Sequence, residues 1–86
     1  MAREIQQRHE LTPEQITEAS RYSVEVHWSP EDQVYIAEIP ELNGARTHGN
    51  SPTEAVEMVI EVAAIWIEAA RKRGWPIPAP RIAIAS

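Results

Sequence analysis

The chain has 86 residues, 13 acidic against 8 basic side chains, a formal net charge of −5 and no cysteine. Without cysteine it has no disulfide, no thiolate nucleophile and no cysteine-type zinc site. A DNA-binding surface needs clustered Lys or Arg to neutralise phosphates, and the acidic balance disfavours one. The one basic cluster, Arg71, Lys72 and Arg73, falls at a predicted helix end, where cations complement the helix dipole.

The length and hydropathy of the chain indicate a small soluble domain. A domain this short buries a modest share of its surface, so we expect self-association into a dimer or tetramer. The longest apolar run, 62–67, is far shorter than the roughly 20 residues that cross a bilayer. The first four residues are unlike a signal peptide. We therefore expect a cytoplasmic protein that makes no membrane contact.

The first segment, 1–21, is predicted to be an N-terminal arm. Residues 12–15 form a capping box that starts a helix of about two turns, ending near Ser20. We expect residues 1–10 to be mobile. A helix this short is marginal alone, so Ile16 and Ala19 must dock, and we place them on the sheet face that a later, longer helix leaves open.

The second segment, 22–86, begins with strand patterns. Residues 22–28 alternate apolar and polar side chains, which predicts a strand with one buried face. The inward side chains are then Tyr22, Val24, Val26 and Trp28. After a turn, 34–39 is apolar on both parities, so both faces of this second strand need cover. Residues 45–48 give a short third strand of an antiparallel meander.

A long helix over 52–73 has the clearest boundaries in the sequence. Ser51 and Glu54 form a capping box in which each side chain is expected to accept from the other residue's amide, and Pro52 suits the first helical position. Gly74 and Pro76 end the helix. Its core stripe is Ala55, Val59, Val62, Ala63, Trp66 and Ala70, widened by Val56, Ile60 and Ile67. Beyond the prolines of the tail, 81–85 alternates again and predicts a fourth strand.

Two apolar residues of this helix fall outside its core stripe. Met58 and Ile65, seven positions apart, project beside the polar stripe. They are either ordinary exposed side chains or a contact with another subunit or a partner.

The sequence contains no recognisable catalytic set. His9, His27 and His48 lack triad spacing, and the carboxylates lack metal-ligand spacing. His27 is expected on the outer strand face, either solvated or in an interface hydrogen bond. The three glycines, Gly44, Gly49 and Gly74, are interpreted as turn or cap residues rather than a phosphate loop. Trp28 and Trp66 are expected in the core. We expect a binding protein with no enzymatic activity, catalytic residue, metal or cofactor.

In combination, several segments resemble the HicB-like antitoxin family. The segments are 22–26 (YSVEV), 35–44 (YIAEIPELNG), 47–55 (THGNSPTEA) and 74–78 (GWPIP). The resemblance covers roughly 22–85. It implies a β-β-β-α-β antiparallel sheet covered by one long helix, a partial ribonuclease-H-like fold, in an α+β domain preceded here by the short N-terminal helix. Full-length HicB antitoxins commonly add a C-terminal DNA-binding domain, whereas this chain stops at Ser86, so no direct nucleic-acid binding is expected.

The resemblance also implies a function. HicB-like antitoxins of type II systems bind and mask a HicA-type toxin, a small basic protein that cleaves messenger RNA, and the acidic balance of this chain suits such a partner. The partner-binding candidates are Glu25, His27, Glu38 and Glu41 for charge and hydrogen bonds, with Met58 and Ile65 for apolar contact. The alternative is an orphan homo-oligomeric HicB-like scaffold without a toxin. A relic metal-dependent nuclease would need a carboxylate cluster that the sequence does not identify.

Overall fold

The computed structural model describes residues 11–42 and 44–80. These form α1 (Pro13–Ala19), β1 (Glu25–Ser29), β2 (Val34–Ile39), a 3₁₀ turn (Pro40–Leu42), β3 (Ala45–Gly49) and α2 (Pro52–Arg73). The α+β class is therefore confirmed. The predicted strand over 81–85, His9 and the arm over 1–10 lie outside the described residues. Within the described ranges, no helix has both the length and the apolar character needed to cross a bilayer.

Helix α1 starts at the predicted capping box. The Thr12 hydroxyl accepts from the Gln15 amide at 3.1 Å, and the Gln15 side-chain oxygen accepts from the Thr12 amide at 2.8 Å. The docking prediction was wrong, because α1 packs against α2 instead of the open sheet face. Ala19 is fully buried there, and the Arg71 guanidinium joins the two helices through Glu18 at 2.6 Å. The apolar side of α1 thus extends the existing core.

Helix α2 has the predicted bounds. The Ser51 hydroxyl accepts from the Glu54 amide at 3.1 Å. The Glu54 carboxylate accepts from the Asn50 amide, one residue before the predicted partner. At the other end, Gly74 adopts the left-handed conformation at φ 72°, and its amide donates to the Ala70 and Arg71 carbonyls. Both ends are therefore fixed by local hydrogen bonds.

The three strands form an antiparallel sheet in the order β1-β2-β3. One face of this sheet packs on α2, which lies mostly across β3 and β2 and contacts β1 much less. The largest fully buried side chains at this interface are Ile39, Leu42, Val59 and Ile67. The core is therefore concentrated on the β2 and β3 side of the sheet.

Strand β1 differs from its prediction in extent and in burial. It begins at Glu25, and Tyr22 is buried before the strand starts. Val26 and Trp28 were predicted to be core, but they are 37% and 45% exposed. The register places both on the helix side of the sheet, where Trp28 pairs with Tyr35. Their exposure follows from the position of α2, which extends only slightly over β1.

Gly49 has a different role from the predicted turn. It is the last residue of β3, three positions before α2 begins at Pro52. A Cβ added to Gly49 would lie 2.7 Å from the Ala55 amide nitrogen. Gly49 therefore permits the close approach of strand and helix.

Candidate functional site

The candidate site is the face of the sheet opposite α2, which we call the outer face. Successive side chains of a strand point to opposite faces of the sheet. In each strand, every second residue faces α2, and the residues between them lie on the outer face. No second layer packs on it within 11–42 and 44–80. The outer face consists of Glu25, His27 and Ser29 of β1, Val34, Ile36 and Glu38 of β2, and Arg46 and His48 of β3.

The middle row of the outer face is apolar at its centre and polar at its ends. Ile36 pairs with His27 on one side and with His48 on the other. Directly opposed residues have Cβ atoms about 4.5–5.5 Å apart, so both imidazoles flank the Ile36 side chain. Ile36 is only 9% exposed, although neither α1 nor α2 packs over it. The histidines thus border a small apolar centre.

The neighbouring row carries charge. Glu25 pairs directly with Glu38, and Glu38 pairs on its other side with Arg46. Like charges directly opposite each other in a sheet are destabilising. A cation of a binding partner placed over the two carboxylates would relieve that repulsion.

A shallow depression of about 480 Å³ lies on the β2 and β3 side of this face. Its lining residues are Asp32, Val34, Ile36, Arg46, Thr47 and His48. Apolar walls next to a carboxylate, a guanidinium and an imidazole suit the side chains of another macromolecule. The chemistry on offer is apolar burial together with charge pairing.

The predicted site residues divide between different parts of the molecule. Glu25, His27 and Glu38 lie together on the outer face. Glu41 lies in the 3₁₀ turn, where its Oε2 accepts from the Ser23 amide at 3.2 Å. Glu41 therefore links this turn to the segment that enters β1.

Met58 and Ile65 lie on α2, across the sheet from the outer face. Met58 is 42% exposed, and Ile65 is half-buried. The six candidates consequently belong to two separate surfaces and to one structural contact, so a single flat partner surface cannot cover them all.

Sequence reasoning missed Ile36, Arg46 and His48 as neighbours of Glu38 and His27. The sequence did contain one indication: β2 carries apolar residues on both of its faces, which indicates an apolar surface on the side away from α2. Ile36 belongs to the parity that α2 does not cover, so it forms the apolar centre of the open face. The identity of its neighbours depends on strand register, which the sequence pattern alone did not give.

Among residues 11–42 and 44–80, no three or more His, Asp or Glu side chains come together in a way that could hold a metal ion. Comparison of the chain with protein-family models, with curated proteins and with solved structures found no match. The geometry of the outer face and the sequence resemblance are therefore the grounds for assigning a function.

Proposed function

We propose that this chain is a HicB-like antitoxin of a type II toxin-antitoxin system, which neutralises a HicA-type mRNA-cleaving toxin by direct binding. The observation that carries the proposal is the outer face, a sheet surface on which neither α1 nor α2 packs, with Ile36 at its centre and Glu25 beside Glu38. The proposal places both proteins in the cytoplasm, where the toxin's substrate is, and assigns no catalysis to this chain.

Charge favours a basic partner on this surface. The chain carries a formal net charge of −5, which accelerates encounter with a cationic protein. On contact, a Lys or Arg side chain between Glu25 and Glu38 replaces their mutual repulsion with two attractive interactions. Burial of the half-buried Val34 then adds apolar stabilisation, whereas Ile36, already only 9% exposed, has little further area to bury. Binding of a basic toxin by this face should therefore weaken as the salt concentration rises.

The finer fold assignment belongs to the same proposal. The resemblance to HicB-like antitoxins implies a partial ribonuclease-H-like, β-β-β-α-β arrangement in which 81–85 supplies the fourth strand. The meander and α2 support the part of that arrangement that precedes the tail.

The test is a calorimetric titration with a HicA-type toxin encoded beside this chain. The wild-type chain should bind stoichiometrically, and Glu25→Lys and Glu38→Lys should each raise the dissociation constant at least tenfold. Glu57→Lys is the matched control, because it makes the same charge change at an exposed position on α2, across the sheet from the outer face. If all three variants bound the toxin equally weakly, the loss of affinity would come from the change in net charge alone. The outer face would then be removed from the proposal.

The alternative is the orphan homo-oligomeric scaffold. It is favoured by the exposure of large apolar side chains, Val26, Trp28 and Met58, away from the outer face. Light scattering of the chain alone and mixed with the basic neighbour separates the two. A homo-oligomer whose mass is unchanged by the neighbour would support the scaffold, and a mixed complex would support the antitoxin.

A further inference from the structure

Helix α2 carries a second apolar stripe beside the one that meets the sheet. Its members, which we call the helix seam, are Met58, Val62, Ile65 and Ala69. They are separated by four, three and four positions, the spacing at which apolar residues form the contact line of paired helices. Met58 is 42% exposed, and the other three are half-buried. Val62 also packs against the core, so it belongs to both stripes. The seam is therefore an apolar helix surface that the fold covers only in part.

The two halves of the helix seam have complementary shapes. In the first half, Met58 protrudes from the helix. In the second half, Ile65 and Ala69 lie in a groove of about 380 Å³ whose other wall is formed by Leu11 and by Gln15 of α1. Charged residues of α2, Glu68, Lys72 and Arg73, complete its lining. The small Ala69 side chain leaves room in this groove. Met58 and Ala69 lie about 16 Å apart along one helix, so a protein cannot insert its own Met58 into its own groove.

The charges at the two ends of the seam are also opposite in sign. Glu54 lies in the first turn of α2, and Lys72 and Arg73 lie in the last turn. Glu68, which also lines the groove, is paired with Arg71 of its own chain at 2.8 Å. Side-by-side helices of two copies bring Glu54 near these cations only when they run in opposite directions. The antiparallel arrangement also pairs opposite ends of the two helix dipoles, whereas a parallel arrangement aligns like charges and like dipoles.

We propose that two copies of this chain associate through antiparallel pairing of their α2 helices along the helix seam. Met58 of each copy enters the other copy's groove at Ala69, and Val62 packs opposite Ile65 of the second copy. Each contact occurs twice about a two-fold axis, as an isologous interface requires. The pairing holds whether or not the outer face binds a toxin, because the helix seam lies on α2, across the sheet from the outer face in both copies.

Cysteine cross-linking tests the geometry directly, since the chain contains no cysteine of its own. The double variant Met58→Cys, Ala69→Cys should form a covalent dimer under mild oxidation, seen on a non-reducing gel. The single variants are the matched controls and should remain uncross-linked, because antiparallel pairing separates each position from its own copy by about 16 Å. Cross-linking by the single variants would indicate parallel helices and overturn the proposal.

Light scattering completes the test without any cross-link. The wild-type chain and Met58→Leu should have the mass of a dimer at micromolar concentration. Met58→Asp should raise the dimer dissociation constant at least tenfold while the circular dichroism spectrum of the fold is unchanged. A monomeric wild-type chain, or a folded Met58→Asp variant that dimerises as tightly as the wild type, would overturn the proposal.

Discussion

Replacement of Gly49 by alanine should be the most damaging single-methyl change in this fold. The new Cβ would lie 2.7 Å from the Ala55 amide nitrogen and 3.0 Å from the Glu54 carbonyl carbon, where ordinary contacts begin at 3.4 Å. The start of α2 must therefore retreat from β3 by about 0.7 Å, the difference between 2.7 and 3.4 Å. The atoms that must move are backbone atoms beside the Ser51 cap, so no side-chain rotation can relieve the contact.

We expect Gly49→Ala to lower the free energy of unfolding by about 3 kcal/mol, at the upper end of the range for overpacked sites. For a domain of this size, that corresponds to a fall in Tm of roughly 12 to 24 °C. Thermal and urea unfolding followed by circular dichroism, at one fixed protein concentration, measure both quantities. The m-value should be unchanged, because the same surface is exposed on unfolding.

Gly74→Ala is the matched control for this prediction. It adds the same methyl group where no atom lies within 4 Å, but φ is 72°. Its cost should be only about 1–2 kcal/mol, from the left-handed backbone. A Gly49→Ala variant as stable as Gly74→Ala would refute the reasoning, since it would show that α2 moves away from β3 without loss.

Three further changes test the core, the cap and the pH dependence. Ile39→Ala removes a fully buried side chain and should cost about 3–5 kcal/mol in urea unfolding, whereas Val26→Ala, at a 37% exposed position, should cost below about 1 kcal/mol. Ser51→Ala should cost about 1 kcal/mol in the same assay, because the Glu54 amide loses its acceptor. Burial, and then the carboxylates of Glu18 and Glu41, raise the pKa of Tyr22 above 10.0. As the pH rises, the Tyr22 phenol therefore loses its proton in the unfolded chain before it does so in the folded chain. The contribution of Tyr22 to the free energy of unfolding is thus present below about pH 10 and is lost above it. Urea unfolding between about pH 8 and pH 11 should show a smaller alkaline loss for Tyr22→Phe than for the wild type; an identical loss would contradict the assignment.

The bounds of β2 and of both helices were predicted correctly, and the helix ends were predictable because neighbouring residues set them. Ser51, Pro52 and Gly74 fix α2 through contacts within a few positions, and Thr12 with Gln15 does the same for α1. The burial of Trp28 was predicted wrongly, because alternation gives only the side of the sheet that a residue faces. Whether that side is covered depends on where α2 lies, and this is settled by packing across the whole domain.

The candidate site was predictable to a similar extent. Alternation alone placed His27 and Glu25 on the same face of β1. Their meeting with Ile36 and Glu38 depends on the register of the hairpin, whose turn places Gln33 at a positive φ of 58°. Residues 29–33 were predicted as a turn, but a glutamine in that conformation is uncommon, so the sequence did not indicate the geometry of the turn. The hydrogen bond that Glu41 accepts from the Ser23 amide joins distant segments and could not be inferred from spacing.

The order of the strands has a consequence for how the protein is made. β2 pairs with β1, β3 pairs with β2, and α2 then packs on β3, the strand that directly precedes it. Every such step closes a short loop, which is the topology of rapid folding. The packing of α1 on α2, which includes the contact of Glu18 with Arg71, and the hydrogen bond from the Tyr22 hydroxyl to the Pro78 carbonyl depart from this pattern. During synthesis on the ribosome, the sheet and the first turns of the helix can therefore assemble as they emerge, and these contacts form only after the second half of the chain is free.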